Sequence, residues 1–147
     1  MANPLKQNQI IQHMLLENID ILGVSETNLK QQESRLLHLH NDINYTYLFT
    51  SYPRQPIGTG VGFIIKKDIS QHIFNHCSIN GRMIYIDLHS KGKKVLRIIQ
   101  LYLHSNKSQI KERCILQQNI LTIIKQALSK HYHVIIMDDF NVNPMHR

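Results

Sequence analysis

Residues 95–106, VLRIIQLYLHSN, and residues 134–141, VIIMDDFN, enclose the part of this sequence whose reading decides the fold. Each is an apolar run rich in branched residues, as strands are, and each runs out into polar residues. Between them, from Ser108 to Ser129, Ile110, Cys114, Gln117, Leu121, Ile124 and Leu128 recur at a helical period, while Leu116, Ile120 and Ile123 widen the stripe. A strand fed by a long helix normally lies inside a sheet, so Tyr132 to Met137 are expected to form a buried strand.

Working back toward the N-terminus, SKGKK (90–94) has the glycine and lysines of a solvated hairpin tip and joins the strand candidates Met83–Leu88 and Val95–Tyr102. Ile69–Phe74 and Gly62–Ile65 are two more strand candidates, with a turn at Lys67-Asp68, and this succession of strands implies antiparallel pairing. The loop SYPRQPIGTG (51–60) carries two prolines and two glycines. Tyr45–Phe49 precedes it, after a polar-led helical or irregular segment from Leu29 to Leu39. Ile19–Ser25, IDILGVS, has the composition of a strand covered on both faces. Before it, Ile10, Ile11, Met14 and Leu15 define a helix over Leu5–Glu17, with Asn3 as its cap and Pro4 in its first turn; its apolar stripe should pack on a sheet. No internal repeat or low-complexity tract interrupts this order.

With 147 residues and 42% hydrophobic content the chain is one domain at most, long enough to bury a core. Seventeen Lys and Arg against ten Asp and Glu give a net charge of +7, which favours an anionic partner such as nucleic acid or acidic lipid. Cys77 and Cys114 lack the spacing of a metal knuckle and are expected to be buried, reduced thiols of an intracellular protein. No run approaches the roughly 20 apolar residues of a membrane span, and the first residues lack the pattern of a secretion signal, so membrane insertion and secretion are disfavoured. Among ten histidines, the pairs His38/His40 and His131/His133 have no third ligand at recognised spacing, which argues against a zinc site. GTGVGF (58–63) neither precedes a helix nor carries a lysine and hydroxyl pair; its glycines relieve crowding at a strand start rather than cradle a nucleotide.

In open mixed sheets ligands collect beyond the carboxyl ends of strands. Three such ends carry chemistry: Glu26 after IDILGVS, Tyr102 after VLRIIQL, and Asp138-Asp139-Phe140-Asn141 after HVIIM. Carboxylates from two distant strand ends, Glu26 and Asp139, could together hold Mg²⁺, a hard ion that takes oxygen ligands and polarises phosphodiesters. Structural alternatives stand beside each. Glu26 suits the start of a following helix, DDFN suits an Asp/Asn turn, and Tyr102 suits a rim aromatic. Among the basic residues, Arg82, just before a strand, is the most interesting phosphate contact.

Taken in order, DILGVSET (20–27), GVGFIIKK (60–67), GRMIYIDL (81–88), VLRIIQLYLHSN, a long helix and VIIMDDFN resemble the endonuclease/exonuclease/phosphatase family, and within it the apurinic-type endonuclease domains of non-long-terminal-repeat retrotransposons. The resemblance covers nearly all of residues 1–147 but only the front part of the longer family domain. It implies a four-layer α/β/β/α sandwich, here incomplete, and Mg²⁺- or Mn²⁺-dependent phosphodiester hydrolysis by in-line attack of water. By the same resemblance Glu26 is the metal ligand and Tyr102 lies near the scissile phosphate. Asp139 orients or activates the water, and Asn141 contacts phosphate; Asp139, Asn141 and Tyr102 are thus the implied catalytic residues, and Arg82 and Asn141 the substrate contacts.

The sequence departs from the family pattern in three places. Asp138 stands where the family has glycine and adds a carboxylate to the strand end. The family's leading strand, with a metal-holding asparagine, has no counterpart, since Asn3 suits a helix cap. The later asparagine, the aspartate and its histidine have no matching positions, and His146 comes too early to serve. A chain truncated at both ends of the family pattern is expected to be weak or inactive alone, because groups acting as a unit fail together, and to leave one sheet with an exposed apolar face. DNA is the expected partner if the chain is active, with no membrane and no obligate protein partner. Nuclear action would fit, although KGKK (91–94) is too short for an import signal. The other readings are a non-catalytic remnant that binds nucleic acid and a phosphoesterase for small or lipid phosphoesters.

Overall fold

In a computed structural model of the chain, residues 3–29, 43–50, 59–103 and 110–138 are described. The Asn3 side chain accepts a hydrogen bond from the Leu5 amide at 3.0 Å, and Pro4 opens helix α1 (Pro4–Leu16). Gln7, Ile11 and Met14 share one buried face at the three-to-four spacing of a helix. That face lies on an antiparallel sheet of β1 (Ile21–Ser25), β2 (Tyr45–Phe49) and β3 (Val61–Lys66), in the order β1-β3-β2. Ile11 and Met14 meet Tyr45, Ile64 and Leu29, with Leu22 and Val24 at the margin. Gly62 is needed here for space: a Cβ at that position would stand 2.0 Å from the Phe49 ring.

A single helical turn, α2 (Lys67–Ser70), carries the chain out of this sheet and into a second. There β4 (Ile73–Ile79), β5 (Met83–Ser90) and β6 (Lys94–Leu101) pair antiparallel as successive hairpins. Helix α3 (Ile110–Ser129) then returns the chain so that β7 (His133–Asp138) lies parallel to β6, giving the order β4-β5-β6-β7. The hairpin tip contains Gly92 at φ 75°, a conformation open to glycine at little cost.

Alternation along the strands makes the layers. Val61, Phe63 and Ile65 point from the first sheet into Ile84, Ile86, Leu88 and Ile98 of the second. The opposite face of the second sheet, Met83, Tyr85, Ile99 and Leu101, receives Leu116 and Ile120 of α3. Helix, sheet, sheet and helix are therefore stacked with three apolar interfaces, and each fully buried Ile or Phe contributes about 1.5–3 kcal/mol. Among the described residues no helix is long and apolar enough to cross a membrane.

Five expectations need correction. The strand expected at Ile69–Phe74 is instead the α2 turn followed by β4 from Ile73; Asn80 and Gly81, both at positive φ, close the β4–β5 hairpin as an Asn-Gly turn does. Strands β3 and β4 do not pair, because α2 sends them to different sheets. On α3 the buried row is Leu116, Ile120 and Ala127, while Ile110, Leu121 and Leu128 are exposed. β7 is only partly buried: β6 is its one described neighbour, and Ile135 and Ile136 are 45% and 37% exposed. Cys77 and Cys114 are both exposed, one on the outer strand β4 and one on the solvent side of α3.

Candidate functional site

The ends of β1 and β6 are stitched together through the loops between them. The Thr27 amide donates to the Gly60 carbonyl at 3.2 Å, the Gly60 amide to the Gly81 carbonyl at 2.9 Å, and the Tyr102 amide to the Arg82 carbonyl at 2.8 Å. Gly60 at φ 101° and Gly81 at φ 65° supply backbone conformations that side-chain-bearing residues rarely adopt. The carboxyl ends of β1 and β6 and the β4–β5 turn are thereby drawn to one rim. β7 ends at the same rim, since Asp138 is in register with Leu101.

At this rim Glu26 leaves β1 in the left-handed conformation, φ 52°. A non-glycine residue there is uncommon and persists only where its surroundings determine it. The exposed Glu26 carboxylate accepts a hydrogen bond from the Tyr102 hydroxyl, a contact between residues 76 apart in sequence. The Arg82 guanidinium stands 5.9 Å from the centre of the Tyr102 ring. Burial lowers the Arg82 pKa, while the Glu112 carboxylate and Tyr102 act in the other direction.

One step below, Gln100 faces the inter-sheet space and donates from Nε2 to the Ser25 hydroxyl at 3.0 Å. Thr27 Oγ1, Arg82 Nη1 and Gln100 Oε1 are buried without a hydrogen-bond partner among the described residues. Buried polar atoms are nearly always paired, so orphans mark a place that a ligand, ion or water completes. These three belong to residues at or next to the Glu26–Tyr102 contact.

Of the residues singled out by sequence, Glu26 and Tyr102 are in contact and Arg82 lies over Tyr102. Asp139 and Asn141 lie outside the described residues, as do His38 and His40. Asp138, the residue in place of the family glycine, ends β7 half-buried. Gln100, Ser25 and Thr27 were not singled out. The signal for Gln100 was present: it is an uncharged polar residue at an alternating position of VLRIIQL, on the inward face with Leu96 and Ile98.

Among the described residues no group of three His, Cys, Asp or Glu side chains converges on a metal position. Mg²⁺ does not need such a cage, because it keeps several waters and uses one or two carboxylates together with substrate phosphate. The exposed Glu26 carboxylate fits as one such oxygen ligand, while the Arg82 guanidinium, which cannot ligate an ion, suits the phosphate instead.

No known family model matches the sequence, and no curated protein matches it. Solved structures do. A humanized TDP2 of D. rerio carrying 14 mutations is 17% identical, with a TM-score of 0.65 over 94% of this chain and 59% of that protein. The human Nocturnin catalytic domain with bound sulfate is 18% identical, with a TM-score of 0.65 over 94% of this chain and 57% of that one. D. rerio TDP2 in complex with a single-strand DNA product is 17% identical, with a TM-score of 0.63 over 92% and 53%. This chain thus spans less than two thirds of the length of each of these three proteins. TDP2 and Nocturnin are members of the endonuclease/exonuclease/phosphatase superfamily, and the α/β fold of this chain, with its two facing sheets, resembles the sandwich of that superfamily.

Proposed function

We propose that the rim built by Glu26, Tyr102 and Arg82 is a metal-dependent phosphodiesterase site and that its substrate is DNA. The observation that carries this reading is the Tyr102–Glu26 contact, which joins a carboxylate and a phenol from the carboxyl ends of strands in two different sheets. Orphaned polar atoms around it add support.

In this reading Glu26 offers the anionic oxygen that holds Mg²⁺ or Mn²⁺. When bound, the ion supplies Lewis-acid polarisation of the phosphoryl group and neutralises developing charge. Tyr102 fixes the Glu26 carboxylate through its hydroxyl and faces the scissile phosphate. The half-buried Arg82 guanidinium beside the Tyr102 ring supplies positive charge for a phosphate at this rim. Asp139 orients the attacking water and Asn141 contacts the phosphate, both from the segment after β7. The net charge of +7 draws a polyanion toward the rim.

What the relatives hold agrees with such a ligand: Nocturnin carries a sulfate anion and D. rerio TDP2 a single-strand DNA product. Within the superfamily, DILGVSET and VIIMDDFN favour the apurinic-type endonuclease domains of non-long-terminal-repeat retrotransposons, whose DNA substrate would place the action in the nucleus. The test is nicking of supercoiled and abasic plasmid in Mg²⁺ against chelator. Slow, Mg²⁺-dependent nicking that disappears in Asp139→Ala supports the proposal, and identical residual cleavage by the two proteins sinks it. The net charge of +7 carries a second reading, a nucleic-acid-binding module without catalysis. Salt-sensitive retention of DNA without nicking would select it.

A further inference from the structure

Gln100 lies in β6 between Ile98 and Tyr102, on the face that looks across to the first sheet, and is 4% exposed. Leucine would fill a similar volume there without desolvation cost, whereas a buried amide is favourable only when its polar atoms are paired. Gln100 meets this requirement in part. Its Nε2 donates to the Ser25 hydroxyl at 3.0 Å and reaches the Leu101 carbonyl at 3.4 Å, but Oε1 has no partner among the described residues.

The opposing strand is shaped to admit this amide. A Cβ at Gly23 would fall 2.0 Å from Gln100 Oε1 and 2.8 Å from the Met137 methyl, so β1 carries a glycine where the side chain crosses. Glycine inside a strand weakens it and marks a close approach. A buried half-satisfied amide and an interior glycine are two destabilising choices that meet at one point. What they hold is Ser25, the residue immediately before Glu26. Among the described residues β1 pairs only with β3, and its carboxyl end reaches the second sheet through the Gln100–Ser25 and Tyr102–Glu26 side-chain contacts, beside the backbone links from Thr27 through Gly60 to Gly81.

We propose that Gln100 is a positioning residue: through the Ser25 hydroxyl, and by way of the gap left by Gly23, it sets the Glu26 carboxylate for metal binding. The inference rests on the reading of Glu26 as a metal ligand and names a residue one step behind it. Groups that orient a ligand from behind are worth about 10- to 100-fold in metal affinity.

The experiment is Mn²⁺ binding by water-proton relaxation, with thermal unfolding in parallel, on the full chain and its Glu26→Gln, Gln100→Leu, Ser25→Ala and Ser25→Thr variants. Wild type binds and Glu26→Gln does not. Gln100→Leu binds about tenfold more weakly at an undiminished melting temperature. Ser25→Ala binds about tenfold more weakly too, at a lowered melting temperature because it strips Gln100 Nε2 of its partner, and Ser25→Thr, which keeps the hydroxyl, retains wild-type affinity. A purely structural pin between the sheets would lower the melting temperature and leave the affinity unchanged. Wild-type affinity in both Gln100→Leu and Ser25→Ala overturns the proposal while the Glu26 reading stands. Equal binding by wild type and Glu26→Gln overturns that reading and this inference with it. If Gln100→Leu fails to fold, the Ser25 pair decides.

Discussion

Arg97 is the largest fully buried side chain of the chain's described part. Its Nε and Nη2 donate to the two oxygens of Asp87 at 2.7 and 2.8 Å, and Nη1 donates to the Ile123 carbonyl and the Gln126 side chain of α3 at 3.0 and 3.1 Å. The guanidinium also lies 4.2 Å from the centre of the Tyr85 ring, and Asn75 donates to the second Asp87 oxygen at 3.0 Å. Hydrogen bonding to Asp87 raises the Arg97 pKa, although burial opposes it. The network fastens α3 to the sheet whose strand ends form the proposed site. Removing one member of such a pair leaves an uncompensated buried charge, so Asp87→Ala should cost about 3–5 kcal/mol in urea unfolding. An Asp87→Leu/Arg97→Met double variant should recover most of that loss. Nothing in the neighbours of Asp87 or Arg97 distinguishes a buried pair from two solvated charges; their pairing follows from the β5–β6 register, which sets them opposite each other.

Elements were more legible in kind and order than in facing. The Asn3–Pro4 start of α1, the strand character of VGFIIK and VLRIIQL and the hairpin tip at Gly92 follow from local chemistry that tertiary contacts reinforce. The buried row of α3 was not legible, because two apolar rows one residue apart both keep a helical period and only the sheet selects between them. Ile120→Ala should therefore cost about 2–4 kcal/mol, while Leu121→Ala should change stability by no more than about 0.5 kcal/mol, both read from denaturant midpoints. On β2, burial pushes the Tyr47 phenol from 10.0 up to about 12. A raised folded-state pKa contributes stability that is whole below pH 10 and is lost as pH rises through about 12, because the unfolded chain releases its proton first. Alkaline unfolding followed by circular dichroism should thus weaken the wild type across that window more than Tyr47→Phe.

At the scale of the whole molecule, the four-layer architecture was legible through the resemblance of the ordered motifs to a known family; the elements read from the residues alone had a strand at Ile69–Phe74, where the α2 turn instead sends β3 and β4 to different sheets. Sequence order did not carry the closeness of Glu26, Tyr102, Gln100 and Ser25, which arises where the sheets meet and depends on backbone turns at Gly60 and Gly81. Motif resemblance named both Glu26 and Tyr102, which the structure brings into contact; Gln100 emerged only from the packing between sheets. The central claim is that Glu26 is the metal-holding carboxylate of a phosphodiesterase site. Its most direct test is the Mg²⁺ dependence of abasic-plasmid nicking by wild type and Glu26→Gln, purified side by side. The account predicts nicking that rises and saturates with Mg²⁺ in the wild type and falls at least about 100-fold in the variant, a loss of roughly 2.7 kcal/mol of transition-state stabilisation. Matching rates and matching Mg²⁺ curves for the two proteins would contradict it.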